Sequence, residues 1–82
     1  MDKKVIIYST PTCPFCIMAK KFLKDKNVDF EDFDVSSDRT KAQEMIQKSG
    51  QMAVPVLDIE GEIIVGFDKE KIRRALGLWY SI

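Results

Sequence analysis

The span from residue 3 to residue 35 constrains the fold most tightly. "KKVIIYS" (3–9) is β-branched and continuously apolar in its middle, the pattern of a strand buried on both faces. "TPTCP" then breaks it with two prolines. From Pro14 to about Lys26 the period becomes helical. Ala19, Phe22 and Leu23 recur at i, i+3 and i+4, with Lys20, Lys21 and Lys24 opposite and Asn27 as a stop. "VDFEDFDV" (28–35) reads as a second strand with one face toward water. Strand, helix and strand in this order predict two parallel strands joined by a right-handed crossover.

The rest of the chain extends that unit. "SSD" (36–38) offers N-cap oxygens for a helix to about Ser49, with Ala42, Met45 and Ile46 as its apolar stripe and Gly50 as its stop. "VPVLDI" and "EIIVGF" flank Glu60-Gly61, a hairpin turn. Asp68 caps a last helix over 69–76, with Ile72, Ala75 and Leu76 inward and Gly77 ending it. The order is β-α-β-α-β-β-α, an α/β fold with a four-stranded mixed sheet and helices on both faces. With 82 residues the chain reads as one domain, 1–82.

Composition removes several function classes. Thirteen basic residues balance thirteen acidic ones, so no basic excess points to nucleic acid or an anionic membrane. The apolar run before Ser9 is too short for a signal-peptide core or a membrane span. The chain therefore reads as cytoplasmic, where the thiol pool keeps cysteines reduced. Phe22, Phe30 and Phe33 read as core, and Met18, Met45 and Met52 as core or rim fillers. Lys20, Lys21 and Lys24 could raise the potential near Cys13, but such lysines are more often a solvated helix face. Trp79 and Tyr80 form an aromatic tail expected to pack back on the body.

Both cysteines lie in "TCPFC". Proline disfavours the α-region for the residue before it and favours the first helical position for itself, so Cys13 falls at or next to the N-cap and Cys16 in the first turn. First-turn N–H groups have no intrahelical acceptors and carry the positive end of the helix dipole. A thiolate is stabilised there, with pKa values of roughly 3.5–7.5 in such settings. Cys13 is thus the candidate nucleophile and Cys16, less exposed to that field, the resolving thiol. The alternatives are weaker. A disulfide across two residues closes too short a loop to staple a fold. Two cysteines and no histidine fall short of a closed zinc site, so no metal is expected within one chain. Two chains together could share an iron–sulfur cluster.

"YSTPTCPFC", its amphipathic helix, and "SGQMAVPVLDIEGEIIVGFD" together resemble a glutaredoxin of the thioredoxin-like superfamily, in register over nearly the whole chain. The resemblance implies a monomeric thiol–disulfide oxidoreductase with Cys13 as nucleophile and Cys16 as resolving thiol. It would reduce protein disulfides or glutathione mixed disulfides, with glutathione as co-substrate and no bound cofactor. Phe15 stands where the family places an aromatic beside the active site. Val54 would offer backbone hydrogen bonds to a thiol peptide, and Pro55 would be a cis proline facing Cys13; without the resemblance, Pro55 reads only as an edge-strand or strand-start proline. Gly66, Phe67 and Asp68 would form the helix start that holds the γ-glutamyl carboxylate, as helix N-termini bind anions.

Four positions depart from the common pattern. Thr10 stands where many glutathione-using members have lysine. Ala53 replaces threonine before Val54-Pro55, Val65 replaces the first glycine of the Gly-Gly-x-Asp motif, and Lys69 replaces an acidic residue. Gln51 could still hydrogen-bond a glutathione carboxylate. "VGFD" leans toward redoxins that are reduced by thioredoxin reductase and donate hydrogen to ribonucleotide reductase, which is the alternative activity.

Overall fold

The computed structural model describes residues 4–77, so the Trp79–Tyr80 tail lies outside the described residues. The elements are β1 (Val5–Ser9), α1 (Pro14–Asp25), β2 (Glu31–Asp34), α2 (Arg39–Ser49), β3 (Val56–Ile59), β4 (Glu62–Val65) and α3 (Lys69–Leu76). The strands form one mixed sheet in the order β2-β1-β3-β4. β1 pairs parallel with β2, as the crossover requires, and β3 lies antiparallel to both β1 and β4. The expected element order and the four-stranded mixed sheet are both present.

Two apolar clusters hold the layers. Ala19 and Leu23 of α1 and Ile72 and Ala75 of α3 pack on Val5, Ile7, Leu57, Ile59 and Ile64. On the other face Met45 of α2 meets Tyr8 and Val56. Period-2 alternation thus sends Ile7 to one helix layer and Tyr8 to the other. α2 has a thin apolar stripe, and polar contacts complete its docking. The buried Tyr8 hydroxyl donates to Glu44, while Lys48 donates to Tyr8 Oη at 2.8 Å and pairs with Asp58 at 2.7 Å. Burial, then the hydrogen bond to Glu44, raises the Tyr8 phenol pKa.

The helix ends follow the expected chemistry. Asp38 and Asp68 cap α2 and α3 by accepting from the Lys41 and Lys71 N–H groups at 3.1 and 3.2 Å. Gly50 and Gly77 close them in the left-handed region. In the hairpin, Glu60 and Gly61 both have positive φ (54° and 90°), and the Asp58 carboxylate accepts from Gly61 N–H at 2.8 Å. A left-handed glutamate is uncommon, so Asp58 supplies a tether that an Asn-Gly turn would not need.

Four expectations are corrected. β2 is Glu31–Asp34, not 28–35, because Val28 N–H donates to Leu23 O and both Val28 and Phe30 pack sideways into the α1–α3 cluster. Ile6 is half-buried, so β1 is not sealed on both faces. Pro55 precedes β3 rather than lying in a strand, and β3 is an interior strand. Met18 and Met52 are 47% and 77% exposed, leaving Met45 as the core methionine.

Candidate active site

Three loops meet at one end of the sheet. They follow β1 (10–13), precede β3 (54–55) and follow β4 (66–68), and the pairings Tyr8↔Val56 and Val56↔Val65 put those strand ends side by side. The first loop carries Cys13 in extended backbone (φ −86°, ψ 116°) as the N-cap of α1, with Pro14 as the first helical residue. Cys13 N–H donates to Thr10 O at 3.4 Å, which turns the chain into the helix. Cys13 Sγ accepts from Cys16 N–H at 3.3 Å. A sulfur thus occupies the place where a serine or aspartate oxygen usually caps a helix.

The two thiols are driven apart in acidity. Burial opposes ionisation of half-buried Cys13. It is outweighed by hydrogen bonds from the Cys16 thiol and from the Cys16 and Phe15 backbone N–H groups, and by the Lys20 charge, so the Cys13 pKa is lowered. Cys16 is fully buried. Burial first, and then its bond to Cys13, push its thiol up to about 11, with the Thr10 backbone and Lys20 pulling the other way.

The other loops close around the nucleophile. The Cys13 thiol lies 4.0 Å from Val54 O. The Val54–Pro55 bond is cis, and Pro55 is buried. Pro55 O accepts from Gly66 N–H at 2.7 Å, linking the second loop to the third. Gly66 has φ +85°, so its backbone conformation, rather than a lack of room for Cβ, favours glycine. Phe67 and Phe22 pack edge to face with ring centroids 6.0 Å apart, which ties the start of α3 to α1. Phe15 is 59% exposed beside Cys13, and Gln51 lies exposed in the loop before Met52. The structure thus brings Thr10, Cys13, Cys16, Val54, Pro55 and Gly66 together, with Phe67 and Asp68 following.

A family model described as Glutaredoxin matches residues 5–64. The chain belongs to the glutaredoxin family. It is 50% identical over 70 residues to an uncharacterized glutaredoxin-like 8.6 kDa protein in the rubredoxin operon of Clostridium pasteurianum, covering 85% of this chain and 93% of that one. Glutaredoxin 3 of Escherichia coli (strain K12) is 39% identical over 64 residues, covering 78% of this chain and 77% of that one. Among solved structures, the glutaredoxin from Archaeoglobus fulgidus superposes with TM-score 0.83 at 27% identity, over 89% of this chain and 85% of that one. In kind, then, this glutaredoxin is a thiol–disulfide oxidoreductase with a thioredoxin-like fold.

In this glutaredoxin site Lys20 is not simply solvated. Its side chain is 23% exposed and pairs with Asp32 Oδ2 at 2.9 Å, while buried Ser9 donates to Asp32 Oδ1 at 2.7 Å. The available signal was spacing, since Lys20 lies one helical turn beyond Cys16 and shares its face. Lys20→Met is expected to raise the Cys13 pKa and slow its alkylation at neutral pH by roughly two- to fivefold, as suits a partly screened charge. A thiolate absorbance titration checks the shift.

Proposed function

We propose that this glutaredoxin reduces protein disulfides and glutathione mixed disulfides with its Cys13–Cys16 dithiol. The observation that carries the reading is the acidity split: an N-cap thiol whose pKa is lowered by donors at the helix start, beside a buried thiol pushed up to about 11. The Cys13 thiolate attacks one sulfur of the substrate disulfide, and the other sulfur leaves with the bonding pair and takes a proton. That step consumes the charge on Cys13. Burial still raises the Cys16 pKa, but the contributions from the Cys13 thiolate disappear. Cys16 therefore becomes easier to ionise when it is needed. It attacks Cys13 Sγ, expels the reduced substrate and leaves the Cys13–Cys16 disulfide. Two glutathiones return the dithiol and leave as glutathione disulfide.

The remaining residues have binding roles in this reading. The Val54 backbone pairs with the thiol peptide, Pro55 supports it, and Phe15 flanks the entry. Gly66, Phe67 and Asp68 present the α3 N-terminus to the γ-glutamyl carboxylate, with Lys69 adding positive charge there. Thr10 and Gln51 face the other end of glutathione. The protein works as a cytoplasmic monomer without a bound cofactor.

An alternative electron source has a specific observation in its favour: Thr10 supplies no charge where many glutathione-using relatives have lysine. One model disulfide, assayed with glutathione and its reductase and separately with thioredoxin reductase and NADPH, decides between them. The glutathione arm is expected to support turnover. Activity in the thioredoxin reductase arm alone would move the protein to the alternative.

A further inference from the structure

Beside Cys13 lies a pocket of about 250 Å³ between the loop after β1, the end of β2, α2 and residues 52–54. Val35, Ala42, Met45 and Met52 provide apolar wall, Thr10 and Ser36 add hydroxyls, and no lining residue is charged. Two of its wall residues also meet the nucleophile. Val54 is part of its wall, and Val54 O is 4.0 Å from Cys13 Sγ. Thr10 is another part, and its carbonyl accepts from Cys13 N–H. The sheet order places this pocket on the β2 side of Cys13, with Gly66 and the start of α3 on the β4 side. An extended peptide whose cysteine lies at Cys13 therefore has one flank toward α3 and the other at the pocket.

Met52, which lines the pocket, is 77% exposed, so an apolar side chain there is open to an incoming peptide.

We propose that this pocket is a specificity subsite for an apolar side chain, of leucine or methionine size, on the residue that follows the target cysteine of a peptide disulfide. The proposal rests on the oxidoreductase reading above, in which the γ-glutamyl side, which precedes cysteine, goes to α3. In glutathione the residue after cysteine is a terminal glycine. It has no side chain to fill the pocket, and its carboxylate meets an uncharged wall. A peptide with leucine at that position buries the side chain against Ala42, Met45 and Met52 instead.

The test uses short blocked peptides whose cysteine is joined by a disulfide to 2-nitro-5-thiobenzoate. Reduced protein attacks the peptide sulfur, and the coloured thiolate leaves. Cys16 then frees the peptide thiol and closes the Cys13–Cys16 disulfide, so the dithiol supplies both electrons. With Leu or Met after the cysteine, colour release is expected to be at least about tenfold faster than with Gly, and with Glu slower than with Gly. The same residues placed before the cysteine change the rate less than about threefold. Ala42→Phe and Ala42→Leu, which fill the pocket from α2, bring the Leu-to-Gly ratio within about twofold of unity. Equal rates across the series, a preference confined to the preceding position, or a Leu preference that survives both substitutions would overturn the subsite. No colour from any peptide would instead overturn the oxidoreductase reading, and the subsite with it.

Discussion

Cys13→Ser is expected to abolish disulfide exchange, lowering kcat/KM by at least about 10³-fold, because a serine hydroxyl stays protonated at neutral pH, whereas the helix start lowers the thiol pKa, and sulfur is the better nucleophile. Cys16→Ser divides the activity. Turnover of glutathionylated substrates continues, since Cys13 and a second glutathione complete that cycle. Reduction of an intact protein disulfide stops at the mixed disulfide, because the buried thiol that would displace the substrate is gone. Intact-mass spectrometry of Cys16→Ser after exposure to the protein substrate is expected to show the adduct on Cys13. Undiminished turnover by Cys13→Ser would place the nucleophile elsewhere.

The second large effect is on stability. Leu57 is fully buried on interior strand β3, opposite Ile7 of β1 and Ile64 of β4. Its side chain belongs to the cluster that holds α1 and α3 to the sheet. Leu57→Ala is expected to cost about 2–5 kcal/mol, the lost transfer free energy plus the cavity left behind. That is a large share of the 5–15 kcal/mol by which domains are usually stable. Urea unfolding is expected to show a lower midpoint at an unchanged slope. A loss below about 1 kcal/mol would mean that the core collapses around the gap. β3 begins immediately after Pro55, so this residue also anchors the strand that carries Val54 toward Cys13.

Local chemistry made most of the architecture legible. Pro14 placed the start of α1 and put Cys13 at or next to its cap, the run 36–38 and Asp68 announced α2 and α3, and Gly50 and Gly77 ended them. The cysteine pair followed from the same local rule. Features that depend on distant partners were not legible. Val28 and Phe30 look like strand residues by period, yet they pack from a loop into the α1–α3 cluster. Lys20 looked solvated because Asp32, its partner, lies on a neighbouring strand. Tyr8, Glu44, Lys48 and Asp58 come from three elements, and no spacing rule joins them. The cis bond at Pro55 was expected from the family resemblance, and not from the strand pattern around it.

The most direct test follows iodoacetamide labelling of the reduced protein against pH, with the modified cysteine located by mass spectrometry. Only the thiolate reacts, so the midpoint reports the acidity of each sulfur in place. Cys13 is expected to be labelled first, with a midpoint clearly below the usual cysteine value of about 8.5, while Cys16 stays unlabelled through that range. A Cys13 midpoint at or above the usual value, or Cys16 reacting first, would contradict the claim that the mouth of α1 creates the nucleophile.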